Sequence, residues 1–299
     1  MIKTIATHNG RFHSDDVFAV ALLKVLFPDA QVVRTRDLDV LKTCDLVLDV
    51  GGEYDVEKLR FDHHQPGGAG ARENGINYSA FGLIWKSYGL QYCQNNNEAW
   101  SRLDKGFVSS FDAYDNGQKT YEITTSDARV VELQDLFDNY LNPNIAEPAE
   151  LSDYDRQFDV ALGIATLILE RVSKRKIAEV ESEKYFFETW NKSPDKRYVV
   201  LDKFATSGEK AEDMPELLYT VFKAPNGTWN VKAMAKEKGS YESKKPMPQV
   251  WAGLRDAELA EVTGVTGAAF CHDTRFMCGA HSKAGALKLL NLALQNPNE

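Results

Sequence analysis

Cysteine is scarce in this 299-residue chain, with four in all. Cys44, Cys93, Cys271 and Cys278 form no C-x-x-C pair, which argues against both a disulfide framework and a zinc knuckle and for reduced thiols. No apolar run approaches the roughly 18 to 20 residues that cross a bilayer. The opening "MIKTIATHNG" lacks a charged segment followed by a long apolar one, so no signal peptide is expected. The expectation is a cytoplasmic protein with no membrane partner. Low-complexity tracts and internal repeats are missing too. An excess of basic charge is also absent: the net charge is −9, which disfavours a protein that coats nucleic acid through a basic surface. The deficit is uneven. From Lys196 onward there are 14 Lys and Arg against 12 Asp and Glu, whereas the residues before it hold 21 against 32. Either the front part has an acidic, solvated surface, or it gathers carboxylates to bind cations.

Short apolar strands alternate with helical segments in the front part. Ile2 to Thr7, "AQVVRTRD", "CDLVLDVGG" and "KLRFDHH" read as strands, and "VFAVALLKVLFP" has helical spacing up to its proline. That alternation predicts an α/β domain with a largely parallel sheet and flanking helices. Further helices are expected around Ala80 to Tyr88 and through "EAWSRLDKGFVSSFDAYDNG", ending at Gly117. From Asp153 a long helix follows, with Phe158, Ala161, Leu162, Ala165, Ile168, Leu169 and Val172 at three- and four-residue steps. "NKSPDK" breaks it. The expected domains are therefore residues 1–192, including the long connecting helix, and 196–299, a smaller α/β domain. The second carries the strand-like runs "RYVVLDKF", "LLYTVFKAP" and "TWNVKAMA", then a strand or hairpin and a last helix.

Only six histidines occur, and their distribution is informative. His8 and His13 accompany Asp15 and Asp16 just after the first strand, and Asp49 ends the third. Asp62, His63 and His64 end the fourth, while Asp112 and Asp115 lie near a helix end. Each has a bland reading: Asp15 fits a helix N-cap, Asp49 before two glycines fits a turn, and Asp115-Asn116-Gly117 is a turn signal. Jointly the bland readings weaken. The ends of parallel strands are where such sheets bind ligands, and mixed carboxylate and imidazole donors suit Mn²⁺, Fe²⁺ or Zn²⁺. There are more donors than one ion needs. Two divalent ions would use them all, activating water and neutralising charge on a phosphoryl oxygen.

The segments "HNGRFHSDD", "LVLDVGG", "FDHHQ" and "SFDAYDNG", in this order and spacing, resemble the four motifs of the DHH phosphoesterase superfamily, and most closely those of the MYG1 family. The superfamily includes RecJ-type exonucleases, oligoribonucleases and family II inorganic pyrophosphatases. The resemblance implies a DHH-type catalytic domain in which His8, His13, Asp15, Asp49 and His63 hold two metal ions, Mn²⁺ in preference to Mg²⁺, with Asp112 or Asp115 completing the set. The alignment leans slightly to Asp112, whereas the turn signal favours Asp115. It implies catalytic roles for Asp62, which supports the metal shell, and for His64, which faces the phosphate or holds a ligand from behind. One departure matters. Where the superfamily commonly has Asp, this chain has His13, one residue further from His8, which removes a negative charge from the metal site.

"CGAHSKAGAL" resembles the glycine-rich signature of the superfamily's C-terminal domain. Small residues let backbone approach a phosphate, and a following helix N-terminus offers unpaired N–H groups. Gly279, His281, Lys283 and Gly285 are thus substrate-binding candidates, joined by the cations Arg255 and Arg275. Lys244, Lys245 and Trp251 in "SYESKKPMPQVW" read better as surface and packing residues than as a strand-binding loop. The resemblance implies a metal-dependent hydrolase of phosphoester bonds, a 3′-to-5′ RNA exonuclease acting on RNA or a short oligonucleotide from a site in the cleft between the domains. A small-molecule phosphohydrolase and a weakly catalytic, metal-dependent nucleotide-binding regulator are the alternatives, and a homodimer is an assembly compatible with each.

Overall fold

A computed structural model describes residues 2–124, 130–144, 149–208, 214–237 and 239–297. The chain divides into two compact units, Met1–Ile177 and Ala178–Glu299. Both are mixed α/β, and the long helix α7, Leu151–Lys192, runs through the division and joins them. Among the described residues no helix is long and apolar enough to cross a membrane. All four cysteines are free and buried; Cys271 and Cys278 oppose each other across two strands.

In the first unit five strands, β1 (Thr4–Thr7), β2 (Gln31–Arg34), β3 (Leu46–Leu48), β4 (Tyr54–Asp55) and β5 (Arg60–Phe61), form a sheet of order β2-β1-β3-β5-β4. Every pair is parallel except β4 with β5, where the edge strand returns antiparallel. Alternate side chains point to opposite faces of a strand. Thus Ile5, Leu46, Leu48 and Phe61 enter the larger core, while Ala6 and Val47 face a smaller one closed by Leu41 and Cys44. Helix α2, Leu38–Thr43, supplies Leu41; Asp37 caps it by accepting from the backbone N–H of Asp39 and Val40. Six residues are too few to show a helical period, so this element was not expected.

The larger core lies under α1 (Ser14–Leu26) and α3 (Ala80–Tyr92). Every residue of α1 from Ser14 to Leu23 is buried, which fits the uninterrupted apolar run Val17–Leu23 but not the three polar residues before it. The helix begins earlier than its spacing suggested: His13, not Asp15, is the N-cap, and the Asp16 carboxylate reaches back to the His13 N–H at 2.9 Å. Phe18 meets Phe81, Phe107, Phe111 and Phe137 at ring separations of 4.5–6.0 Å. Those rings fix α1 against the run Asn97–Asp115. That run is α4 (Asn97–Leu103), a π-helical turn (Asp104–Val108) and α5 (Ser109–Asp115), ended by Asn116 and by Gly117 at φ +65°. After the short α6 (Leu133–Asp135), α7 brings Phe158, Ala161, Ala165 and Leu169 to complete this core at the expected steps.

The second unit holds β6 (Tyr198–Leu201), β7 (Tyr219–Lys223), β8 (Trp229–Ala233), β9 (Ala268–Cys271) and β10 (Met277–Ala280), in the order β6-β7-β8-β10-β9. Only β6 and β7 pair parallel. One face packs on α9 (Lys283–Gln295), through Ala286, Leu289, Leu290 and Ala293, and on Leu259 of α8 (Asp256–Thr263). Leu201 and Phe222 cluster with Phe186 of α7 in a separate core.

Candidate metal centre

Three parallel strands end side by side, and each hands on an ionisable residue. His8 follows β1, Asp49 follows β3, and Asp62 to His64 follow β5. The start of α1 adds His13, Asp15 and Asp16, and the last residue of α5 adds Asp115. Asp49 is the hub: its Oδ2 lies 3.2 Å from His8 Nε2, and its Oδ1 lies 3.1 Å from His63 Nε2 and 3.6 Å from His64 Nδ1. His63 Nε2 also lies 3.4 Å from Asp115 Oδ2 and 3.9 Å from Asp15 Oδ2. Four overlapping groups have ligand atoms all within 4.8 Å of one another: His8, His13 and Asp49; Asp49, His63 and His64; His13, Asp15 and Asp115; Asp15, Asp16 and Asp49. Asp49 sits at φ +55°, a left-handed conformation that costs a non-glycine residue free energy and is concentrated at functional sites.

The electrostatics show a site short of positive charge. Asp15, Asp16 and Asp49 are almost completely buried. Burial, then the charges of Asp115, Asp49 and Asp16, push the Asp15 carboxyl well above its usual range. Its Oδ1 is buried without a hydrogen-bond partner, while Oδ2 accepts from Ala80 N–H at 3.1 Å. Burial raises Asp16 and Asp115 to about 6 each, with Asp49 adding to both. Asp49 is held low: burial opposes its charge, but the bonds from His63 and His8 outweigh it. Those two imidazoles are raised despite their own burial, His8 by Asp16 and Asp49 and His63 by Asp49, whereas burial lowers His13. An orphaned buried oxygen among crowded carboxylates, with three imidazoles beside it, fits a divalent cation better than it fits protons. The donor set matches the mixed N/O coordination of Mn²⁺, Fe²⁺ or Zn²⁺.

Asp62 stands behind the cluster. Its Oδ1 accepts from His63 N–H (2.7 Å), His64 N–H (3.1 Å) and His64 Nδ1 (2.7 Å), and its Oδ2 from Gly52 N–H (2.6 Å). The bond from Asp62 raises His64 to about 9, so at neutral pH His64 is a half-exposed cation. Asp112, to which the motif alignment leans, is not brought into the cluster. Arg72 reaches its Oδ2 through Nε and Nη2, both at 2.7 Å. Its Oδ1 accepts from Ser79 N–H, Ser79 Oγ and Gly82 N–H at 2.8–3.1 Å. That carboxylate has no capacity left for an ion, and the neighbouring Asp115 is the one that faces His63. Asp16 was counted among the donors from sequence but matched to no motif position, and Asp138 was not foreseen. Asp16 was visible as the second half of an Asp doublet. Asp138, burial of which lifts its carboxyl to about 7, accepts from Ser14 N–H at 2.6 Å. Nothing local in the sequence marks that contact.

In the second unit a Cβ on Gly279 would come within 2.7 Å of Phe270 and Asn230, and one on Gly285 within 2.9 Å of Ala280. Both glycines are explained by close packing. Ser282 caps α9 by accepting from Gly285 N–H at 3.1 Å. The flanking His281 and Lys283 are exposed; Lys283 meets Asp202 at 3.1 Å and lies 4.9 Å over the Trp229 ring. Arg255 is the residue before α8, and Arg275, at φ +60°, donates to Met247 O. Trp251 is 4% exposed and belongs to the core. Lys244 and Lys245 are half-buried, with their ammonium groups on backbone carbonyls.

The fold and the cluster define an α/β protein with a candidate divalent-metal centre at the carboxyl ends of its parallel strands. A family model for MYG1, described as "Uncharacterised protein family (UPF0160)", matches residues 4–294. The chain is 29% identical to an MYG1 protein of Schizosaccharomyces pombe, covering 98% of each chain. It is 30% identical to the MYG1 exonuclease of Homo sapiens, over 97% of this chain and 85% of that one. It is also 30% identical to an MYG1 protein of Caenorhabditis elegans, over 99% and 96%. The chain belongs to the MYG1 family.

Proposed function

We propose that this protein is a divalent-metal-dependent phosphoesterase of the DHH type, acting as a 3′-to-5′ RNA exonuclease. The observation that carries the reading is the convergence of His8, His13, Asp15, Asp49, His63 and Asp115 from separate elements onto shared points. The name "exonuclease" given to the human relative supports the same chemistry. These six residues would hold two ions, with Asp49 common to both, and three imidazoles among the donors favour Mn²⁺ over Mg²⁺. When bound, the ions supply activation of water and neutralisation of phosphoryl charge. The chain's own residues do the rest. Asp62 fixes the ring of His64 through Nδ1, leaving Nε2–H to donate to a phosphoryl oxygen as a preorganised cation. In the second unit His281 and Lys283, beside the start of α9, would grip a substrate phosphate, with Arg255 as a further cation.

The test compares turnover of 3′- and 5′-labelled short RNA, pyrophosphate and a dinucleotide, with Mn²⁺ and with chelator. The expected result is Mn²⁺-dependent shortening of RNA from its 3′ end, lost in Asp49→Ala. Cleavage of the small compounds alone would make the protein a small-molecule phosphohydrolase. Metal binding with no hydrolysis of any of them would leave a nucleotide-binding regulator, the role to which His13 in place of Asp points.

A further inference from the structure

The second unit contains a cavity that this reading does not use. It measures about 820 Å³ and opens beside the turn joining β9 to β10, at the end of β10 opposite Gly279 and Ser282. Such a volume lies within the range of sites for small organic ligands. Aromatic rings form part of its wall, among small, polar and charged residues that include Glu237 and Glu242. Phe204 packs edge-on against Phe222 at 5.1 Å yet remains 59% exposed, and the rings of His272 and Phe276 lie 4.6 Å apart. Tyr241 is fully exposed. It lies between the Ala235–Ser243 bridge and the turn closed by Ser240 N–H to Glu237 O at 3.1 Å, next to the bond from Lys236 N–H to Glu242 O at 2.9 Å. A loop under no demand but solvation does not need that ring.

A second pocket of about 380 Å³ shares Lys236, Tyr241, Glu242, Ser243 and Thr274 with the first and adds Lys244, Lys245 and Arg275; Glu242 is already paired with Lys236 at 2.6 Å. Here the charge is unusual for a chain of net −9. Lys244 donates to Met214 O at 2.8 Å, and Lys245 to Leu294 O and Asn296 O at 3.1 and 2.7 Å. Among the described residues neither ammonium is paired with a carboxylate, so their charge is anchored but not cancelled. Burial pushes Lys244 below its ordinary value. An incompletely packed core would explain the aromatic rings alone, and a solvated pair the lysines alone. Side by side they match the two halves of one ligand class. A base stacks on aromatic rings whatever its sequence, and a phosphate seeks fixed cationic donors.

We propose that these joined pockets bind a nucleoside phosphate, its base against Phe204 and Tyr241 and its phosphate toward Lys244 and Lys245. All four residues belong to the second unit, whereas the metal cluster belongs wholly to the first. The site therefore requires neither metal nor hydrolysis.

The experiment uses the full-length chain carrying Asp49→Ala in excess chelator, titrated by calorimetry with adenosine monophosphate, adenosine, ribose 5-phosphate and inorganic phosphate. Adenosine monophosphate is expected to bind saturably at one site and more tightly than any of its fragments. Phe204→Ala and Tyr241→Ala alter exposed side chains and leave folding intact. Each is expected to weaken adenosine monophosphate by roughly tenfold while leaving inorganic phosphate unchanged. Lys244→Gln and Lys245→Gln are expected to weaken the phosphate-bearing probes and not adenosine, with unchanged thermal unfolding as the check on folding. No saturable binding at millimolar nucleotide overturns the proposal, as does binding of adenosine monophosphate no tighter than phosphate. Binding that needs divalent metal would place the nucleotide in the first unit and overturn it too. Wild-type protein that binds in chelator but hydrolyses nothing with Mn²⁺ would end the exonuclease reading and leave this one standing.

Discussion

Two carboxylates one helical turn apart have taken opposite roles. Asp112 is fully buried and answers the guanidinium of Arg72, the hydroxyl and N–H of Ser79 and the N–H of Gly82. Gly82 is where a side chain is excluded, because a Cβ there would overlap the Asp112 carboxylate. Asp115 faces His63 and is held up near 6, first by burial. Breaking one side of a buried ion pair leaves the other charge uncompensated. Asp112→Asn is therefore expected to cost about 3 kcal/mol in unfolding free energy, an order-of-magnitude figure for such pairs, with the number of bound Mn²⁺ ions unchanged. Asp115→Asn is expected to change stability in chelator little and to weaken Mn²⁺ binding at least tenfold. Denaturant melts and metal titrations of the two variants check this, and a loss of metal in Asp112→Asn with unchanged stability would reverse the assignment. The sequence showed both residues near a helix end and could not separate them. What sets their surroundings apart is the position of Arg72, forty residues away and in a glycine-rich loop.

At the scale of elements, the strands and the long helices were legible because their apolar periods are strong, and the strand ends therefore located His8, Asp49 and Asp62 correctly relative to the sheet. The short helices α2 and α8 and the π-helical turns were not, since five to eight residues carry too little periodicity to announce themselves. One of these weakly marked elements supports the metal cluster. The π-helical turn Leu136–Leu141 and its following residue clamp the loop between β1 and α1. Asp138 accepts from Ser14 N–H at 2.6 Å. Asn142 accepts from Phe12 N–H at 3.1 Å and donates to Phe12 O at 2.9 Å. Arg11 donates to Asp138 O and to Asn139 Oδ1. Asn142 thus reproduces a backbone pairing with a side chain and holds His13 and Asp15 at fixed distance from Asp49. Asn142→Ala leaves the Phe12 peptide groups buried and unpaired, a cost of about 1–3 kcal/mol each. It is expected to weaken Mn²⁺ binding although it touches no ligand. Asp138→Asn keeps the acceptor for Ser14 N–H and is expected to retain metal affinity where Asp138→Ala loses it. Equal metal affinity in Asp138→Ala and wild type would remove the clamp from the site.

For the whole molecule, the cluster makes stability without metal a function of pH with a definite sign. Asp15 is raised well above its usual range, Asp16 and Asp115 to about 6 and Asp138 to about 7. A carboxyl whose pKa is raised by folding binds its proton more tightly in the folded state, so stability falls as pH climbs from the unfolded value of 3.8 through the folded one. His8 and His63 are raised, and His64 to about 9. Their contribution is complete below 6.5 and is lost as pH rises through their folded values. Asp49 and Asp62 act the other way: both are held low, so their contribution is present above 3.8 and disappears on acidification. The metal-free protein should accordingly be most stable in mildly acidic solution and lose stability steadily toward pH 9. A divalent ion held there would take the place of the protons on the same oxygens and nitrogens, so the affinity for added Mn²⁺ should rise over that range and offset the loss. Asp15→Asn separates the two effects, because it keeps the acceptor for Ala80 N–H while removing the charge with the unpartnered oxygen. In chelator at neutral pH this variant is expected to unfold at a higher temperature than wild type, by an amount corresponding to about 1–2 kcal/mol, and with a shallower dependence on pH. With Mn²⁺ the order reverses, because only the wild type gains from the metal. Thermal melts from pH 4 to 9 with Mn²⁺ and with chelator measure both. A metal-free wild type whose stability is flat or rises between pH 5 and pH 8 would show that protons do not compete for these carboxylates, and with that the case for a cation among them would fail.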